Sequence, residues 1–110
     1  MKFDEYQKKA HSTAIYPPLG GAGWVYPALG LSGEAGEIAN KLKKVIRDKG
    51  GKLTDEDRQI LKGELGDVLW YVSELAHQLG LSLEEIAQEN IKKLASRAER
   101  GKLTGSGDKR

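Results

Sequence analysis

One short phrase occurs twice in this chain, and it constrains the fold more than any other stretch. Gly33-Glu34-Ala35-Gly36-Glu37-Ile38 and Gly63-Glu64-Leu65-Gly66-Asp67-Val68 both read Gly-Glu-x-Gly-acid-aliphatic, the second beginning 30 residues after the first. On an α-helix the two acids of each copy lie i, i+3 on one face, a few ångströms apart. With Glu34 at zero on a helical wheel, Leu31, Ala35, Ile38, Leu42 and Val45 fall between about +20° and +100°, and Glu37 falls near −60°. With Glu64 at zero, Leu61, Leu65, Val68, Val72 and Leu75 occupy the same arc and Asp67 again falls near −60°. Packing the two apolar stripes together therefore brings four carboxylates to the rim of one interface. Their repulsion calls for a cation or a proton.

A single Glu-x-x-Glu on an exposed helix is ordinary, but two matched pairs flanked by glycines are not. Glycine costs about 1 kcal/mol relative to alanine inside a helix. Gly33, Gly36, Gly63 and Gly66 all carry that penalty beside the acids. They predict close backbone approach or room for a ligand. Four oxygen donors with no neighbouring His or Cys point to Mg²⁺, with Mn²⁺ as a substitute, and Mg²⁺ in enzymes commonly joins protein carboxylates to substrate phosphates. A di-iron centre needs Glu-x-x-His pairs, and neither His11 nor His77 follows a glutamate at that spacing. Both histidines read as surface or core residues.

The remaining punctuation predicts helices throughout. A short helix is expected from Asp4 to about Ala14, with Phe3, Tyr6 and Ala10 or Ala14 on one side. Ile15 to Gly23 reads as a flexible loop, because Tyr16 precedes Pro17 and four of its residues are glycine or a second proline. No Gly-Lys-Ser/Thr follows Gly20–Gly23, which excludes a Walker-type phosphate loop. A first acidic helix is expected from about Trp24 to Asp48, stopped by Gly50-Gly51. The second follows Thr54 and Asp57, a pair resembling a capping box, and closes at Gly80. Ser82 with Glu85 reads as a cleaner capping box for a last helix, whose Leu83, Ile86, Asn90, Leu94 and Ala98 share a face and which stops at Gly101. The fold class is thus all-α, a bundle of three substantial helices plus a short N-terminal one. Residues 1–101 form the helical domain, and 102–110 form a polar, glycine-rich tail that would fray by default.

Cations recur at helical spacing. Lys41 lies four residues after Glu37, Lys44 and Arg47 follow on its flank, and Lys93 and Arg97 lie on the last helix; each suits either a substrate phosphate or a solvated ion pair. Tyr71 stands four residues after Asp67, where its ring can stack on a base, whereas Trp70 reads as core or interface packing.

The two acidic pairs, with 26 residues between Glu37 and Glu64, resemble the signature of the all-α, MazG-like nucleoside triphosphate pyrophosphohydrolases, of the short phage and bacterial type. The likeness extends over Leu29 to Glu37, Glu64 to Tyr71 and Asn90 to Leu94. It implies a Mg²⁺-dependent hydrolase that cleaves (d)NTP between the α and β phosphates to (d)NMP and pyrophosphate, a nucleotide-pool house-cleaning activity. Glu34, Glu37, Glu64 and Asp67 are then the metal and catalytic residues, one of them serving the attacking water. Lys41, Lys44, Tyr71, Asn90, Lys93 and Arg97 become the substrate contacts, and the tail through Asp108 and Arg110 closes over the substrate. The resemblance also implies a homodimer, or a homotetramer built as a dimer of dimers, with sites at subunit interfaces. Two alternatives stay open: a pyrophosphohydrolase of another metabolite such as phosphoribosyl-ATP, and a non-catalytic helical oligomer that binds a divalent ion.

Size and charge set the outer limits. A chain of 110 residues is one domain, and its small core leaves apolar surface to be buried against another copy. A net charge of +2 is too small to argue for nucleic acid. No apolar run approaches a membrane span or a signal-peptide core, so no membrane partner is expected. Zero cysteines fit a reducing compartment, and we read the protein as cytoplasmic.

Overall fold

The computed structural model describes residues 1–17 and 19–110, without the side chain of Leu19. Its described residues form four α-helices and no strand: α1 (Phe3–His11), α2 (Val25–Lys49), α3 (Asp55–Gln78) and α4 (Leu83–Glu99).

Local chemistry sets each boundary. α1 carries Asp4 and Glu5 in its first turn and Lys8, Lys9 and His11 in its last, the polarity that the helix dipole favours. It stops at His11, short of the expected Ala14, because the Ser12 and Thr13 hydroxyls bond back to the carbonyls of Lys9 and Ala10 and compete with the helical ladder. A short 3₁₀ turn, Leu19–Gly21, lies inside the expected loop; Pro18 falls outside the described residues. α2 takes Pro27 into its first turns and ends at Gly50, whose φ of 60° lets Gly51 N–H reach the Val45 carbonyl at 3.1 Å.

The two capping boxes come out in the reverse of the expected order. Thr54 Oγ1 accepts from Asp57 N at 3.1 Å while Asp57 Oδ2 accepts from Thr54 N at 3.0 Å, a complete box at the start of α3. At α4 the Ser82 hydroxyl accepts from Glu85 N at 3.2 Å and donates to Asp4 Oδ1 on α1, so this cap joins two helices instead of closing on Glu85.

The short Gly50–Thr54 connection folds α2 and α3 into a hairpin, the largest helix pair of the molecule; α1 packs on α3, and α4 packs on α1 and the end of α3. α2 and α4 do not touch. Gln7 holds the turn between α3 and α4, donating to Leu81 O at 2.9 Å and accepting from Leu83 N at 3.0 Å. The molecule is open for its size. Its radius of gyration is 16.8 Å, against about 13 Å for a compact domain of this length. Apolar burial is correspondingly thin, with Ala10, Val45, Ala76 and Leu83 inside, while Leu29, Ile46, Leu65 and Ile91 remain largely exposed.

The tail does not fray. Lys93 Nζ lies 2.7 Å from Asp108 Oδ1, and the buried Arg97 guanidinium donates to the Asp108 carbonyl. Arg110 donates to the carbonyls of Lys102, Leu103, Thr104 and Gly107, winding residues 102–110 around its own side chain.

No helix among the described residues is long and apolar enough to cross a membrane.

Candidate metal and substrate site

The wheel geometry places the acids of α2 and α3 along one edge of the hairpin, and three of them meet there. One carboxylate oxygen from each of Glu34, Glu64 and Asp67 lies within 4.8 Å of the others. Among the described residues this is the one cluster of three or more ligating side chains. Glu34 and Asp67 line a cavity of about 380 Å³ together with Thr13, Trp70 and Tyr71. Burial raises the Glu34 carboxyl above its ordinary range, and a hydrogen bond shared with Glu64 and the charges of Asp67, Glu64 and Glu37 push it the same way.

Glu37 stands apart from the trio. Its side chain is 57% exposed and lies 3.9 Å from Lys41 Nζ, which in turn sits 3.2 Å from Glu64 Oε1. Lys41 therefore bridges the two helices between two acids. Lys44, one turn further along α2, lines a separate groove of about 200 Å³ with Val45, Ile60 and Leu61. Tyr71 is at the cavity, as its spacing from Asp67 requires. Burial, the neighbouring Tyr26, and the charges of Glu34 and Asp67 raise its hydroxyl pKa.

Comparison with known proteins decides the family. Residues 28–101 match the MazG nucleotide pyrophosphohydrolase domain, about two thirds of the chain and every residue of the cluster. The chain belongs to the MazG nucleotide pyrophosphohydrolase family. It is also similar to the Gene 37 protein of Mycobacterium phage L5, 53% identical over 114 aligned positions that span the whole of both chains. No solved structure matches it.

Within this MazG chain the α4 residues lie elsewhere. Asn90 is exposed, Lys93 and Arg97 are engaged by Asp108, and none of the three lines the acidic cavity. Nor do Gly33, Gly36, Gly63 and Gly66 mark close packing within the chain, because a Cβ at each would meet nothing within 4 Å. Tight approaches lie instead at Gly30, where a Cβ would run into the ring of Tyr71, and at Gly23, where it would meet the Gln78 side-chain amide.

Several residues beside the MazG cavity carry no local signal in the sequence. Trp70 packs edge-on to Tyr71 and donates from Nε1 to Thr13 Oγ1 at 2.9 Å. Tyr16 stacks on Tyr26 with ring centroids 4.7 Å apart, and the two lie next to Tyr71 in a second recess of about 300 Å³. Behind that recess Glu74, 1% exposed, accepts from Tyr16 OH at 2.7 Å, Gln78 Nε2 at 2.8 Å and His11 Nδ1 at 2.8 Å. Burial pushes the Glu74 carboxyl up, but the three donors together outweigh it and hold the pKa below the ordinary value. His11 stacks on His77 at 3.6 Å, and neither histidine joins the acidic cluster.

Proposed function

We propose that the protein is a Mg²⁺-dependent nucleoside triphosphate pyrophosphohydrolase that cleaves (d)NTP between the α and β phosphates, releasing (d)NMP and pyrophosphate. The convergence of Glu34, Glu64 and Asp67 within a MazG domain is the observation that carries this reading. Their donor set fits the ion, being all oxygen, with Glu34 pushed toward its neutral form until a cation offsets its neighbours. Mn²⁺ suits the same donors. When bound, the metal supplies charge neutralisation and Lewis-acid polarisation to the triphosphate.

The chain's own residues then divide the work. Glu34, Glu64 and Asp67 hold the ion. Glu37, exposed and outside the trio, accepts the proton of the attacking water at a carboxylate oxygen. Lys41 offsets the charge of Glu37 and Glu64, and we assign it to the departing pyrophosphate, with Lys44 from the adjoining groove that both lysines line. Tyr71 borders the nucleoside. Asn90 and Lys93 lie on a helix that does not touch α2 in its own chain, so we assign them to the site of a second copy in a homodimer, or in a tetramer made of two such dimers, with the buried Arg97 contributing there by holding the tail through Asp108. The open Leu29, Ile46 and Leu65 supply apolar surface for that contact. With no cysteine to oxidise, the cytoplasm and its nucleotide pool are the setting we assign.

The test is turnover of a panel of (d)NTPs with and without Mg²⁺, with the products identified. Monophosphate plus pyrophosphate, abolished by EDTA, is expected; no turnover of any of them refutes the proposal. Glu37→Gln should lower kcat and leave Mg²⁺ affinity unchanged, whereas Asp67→Asn should weaken Mg²⁺ binding. Sedimentation velocity on the full chain reads the assembly.

A further inference from the structure

Glu74 is a fully enclosed carboxylate that the chemistry above does not use. It sits seven residues beyond Asp67 on α3, two turns along the helix, and its three donors come from three parts of the chain: the end of α1, the 12–24 segment and α3 itself. An unpaired charge at such a site is strongly unfavourable, and the three hydrogen bonds are what offset it. An apolar residue of similar shape would pack the helices without those bonds. What the carboxylate adds over an apolar side chain is direction. Tyr16 OH is drawn to Oε2, and this bond orients the Tyr16 ring parallel to Tyr26, with 3° between the planes.

The recess so formed adjoins the acidic cavity. Thr13, Trp70 and Tyr71 line both, and Ile15, Tyr16, Pro17 and Tyr26 complete the aromatic one. Flat aromatic walls beside a phosphate-binding centre suit one ligand chemistry, a planar heteroaromatic base, because every base offers a stacking face. Tyr16 belongs to a proline- and glycine-rich segment, and its ring is held by the stack on Tyr26 and by its hydroxyl, which donates to Glu74 Oε2 at 2.7 Å and more distantly to the Gly23 carbonyl of its own segment at 3.2 Å, so that Glu74 is its one hydrogen-bonded tie to α3.

We infer that Glu74 is a positioning residue that clamps Tyr16 against Tyr26, so that the recess beside Glu34 and Asp67 stands preformed for the base of a nucleotide. This rests on the function proposed above. Preorganisation of this kind lowers the ordering cost of binding and acts on affinity more than on chemistry. The direction of the Tyr16 titration agrees, its hydroxyl being pushed up to about 12 by burial and by the bond to Glu74.

The experiment uses the full chain and the conservative variants Glu74→Gln and Tyr16→Phe, both of which keep the shape of the side chain. For a dNTP that the wild type hydrolyses, each should raise KM at least fivefold and leave kcat within twofold. Inorganic tripolyphosphate, which has no base, should inhibit wild type and variants equally. The double variant should be no worse than the worse single, since both remove one interaction. Unchanged KM in both variants, or an equal loss of tripolyphosphate inhibition, overturns the inference, as does a collapse of kcat at constant KM. Hydrogen exchange of residues 13–23 supplies a readout independent of turnover: Glu74→Gln should speed it, and unchanged protection overturns the clamp. If the wild type hydrolyses no nucleotide, the function falls together with the base recess, and the clamp stands or falls on the exchange result alone.

Discussion

Gly30 on α2 lies directly against the ring of Tyr71 on α3, so close that a Cβ at position 30 would overlap the ring. The ring has little freedom to retreat, since Trp70 stands edge-on to it at 5.1 Å and Tyr26 at 6.4 Å. Helix propensity alone favours alanine over glycine by about 1 kcal/mol, but overpacking costs about 1–3 kcal/mol. Gly30→Ala should therefore lower stability by up to about 2 kcal/mol in urea unfolding. It should also displace Tyr71 from the acidic cavity and raise KM for nucleotide.

Gly33 gives the opposite expectation. Open space surrounds its Cβ position, so Gly33→Ala should stabilise the isolated chain by up to about 1 kcal/mol. A fall in the sedimentation coefficient of the variant, with the fold retained by circular dichroism, would instead identify this face as the contact between copies.

Lys41 offers a charge test of the cluster. Its side chain is about a third exposed, which limits each of its ion pairs to about 1 kcal/mol or less. Lys41→Met should lower the melting temperature without Mg²⁺. It should also tighten Mg²⁺ binding by less than about tenfold, because a competing cation has been removed from Glu64. Isothermal titration calorimetry reads the second effect; weaker Mg²⁺ binding would contradict it. Glu34→Gln, by relieving repulsion, should stabilise the metal-free protein at neutral pH and abolish the further stabilisation that Mg²⁺ gives the wild type.

Acid sensitivity should concentrate at the α2–α3 turn. The Lys49 ammonium holds the Asp57 carboxyl down at about 2, against an ordinary 3.8, and hydrogen bonds from Thr54 add to it. A carboxyl whose pKa is lower in the fold than in the unfolded chain stabilises the fold above 3.8, and that contribution disappears as pH falls from 3.8 through about 2. Asp57→Asn should flatten the stability profile across that window in urea titrations. Thr54→Ala, which removes the reciprocal cap, should cost about 1 kcal/mol at neutral pH.

Arg110 is the centre of the folded tail, and Arg110→Ala leaves the carbonyls of Lys102, Leu103 and Thr104 without their donor, while Gly107 O keeps only the 3.4 Å bond from the backbone N–H of residue 110. Amide exchange in residues 102–110 should rise toward that of an unstructured peptide, while α4 keeps its protection. Retained protection in the tail would show that Lys93 and Arg97, through Asp108, and Arg100, through the carbonyl of residue 110, suffice to hold it.

Helix number, helix type and most boundaries were legible from spacing, because periodicity and caps act within a few residues. The four acidic positions were legible for the same reason, and Glu34, Glu64 and Asp67 do meet. Glu37 lies outside that trio and faces Lys41, whose ammonium also reaches Glu64 and so offsets charge on both helices. The end of α1 moved because two hydroxyls outcompeted the ladder, and the tail folded because Arg110 met carbonyls that no periodic pattern reveals.

An all-α chain with matched acids on two neighbouring helices follows from residue order alone, since those features depend on intervals of three and four residues. That Gly30 seats Tyr71, that Lys41 spans two acids, and that Glu74 gathers His11 and Tyr16 from about 60 positions away is visible in the packed molecule alone. Contacts at that separation follow from how whole helices pack, and no local interval encodes which side chains will face each other across the seam.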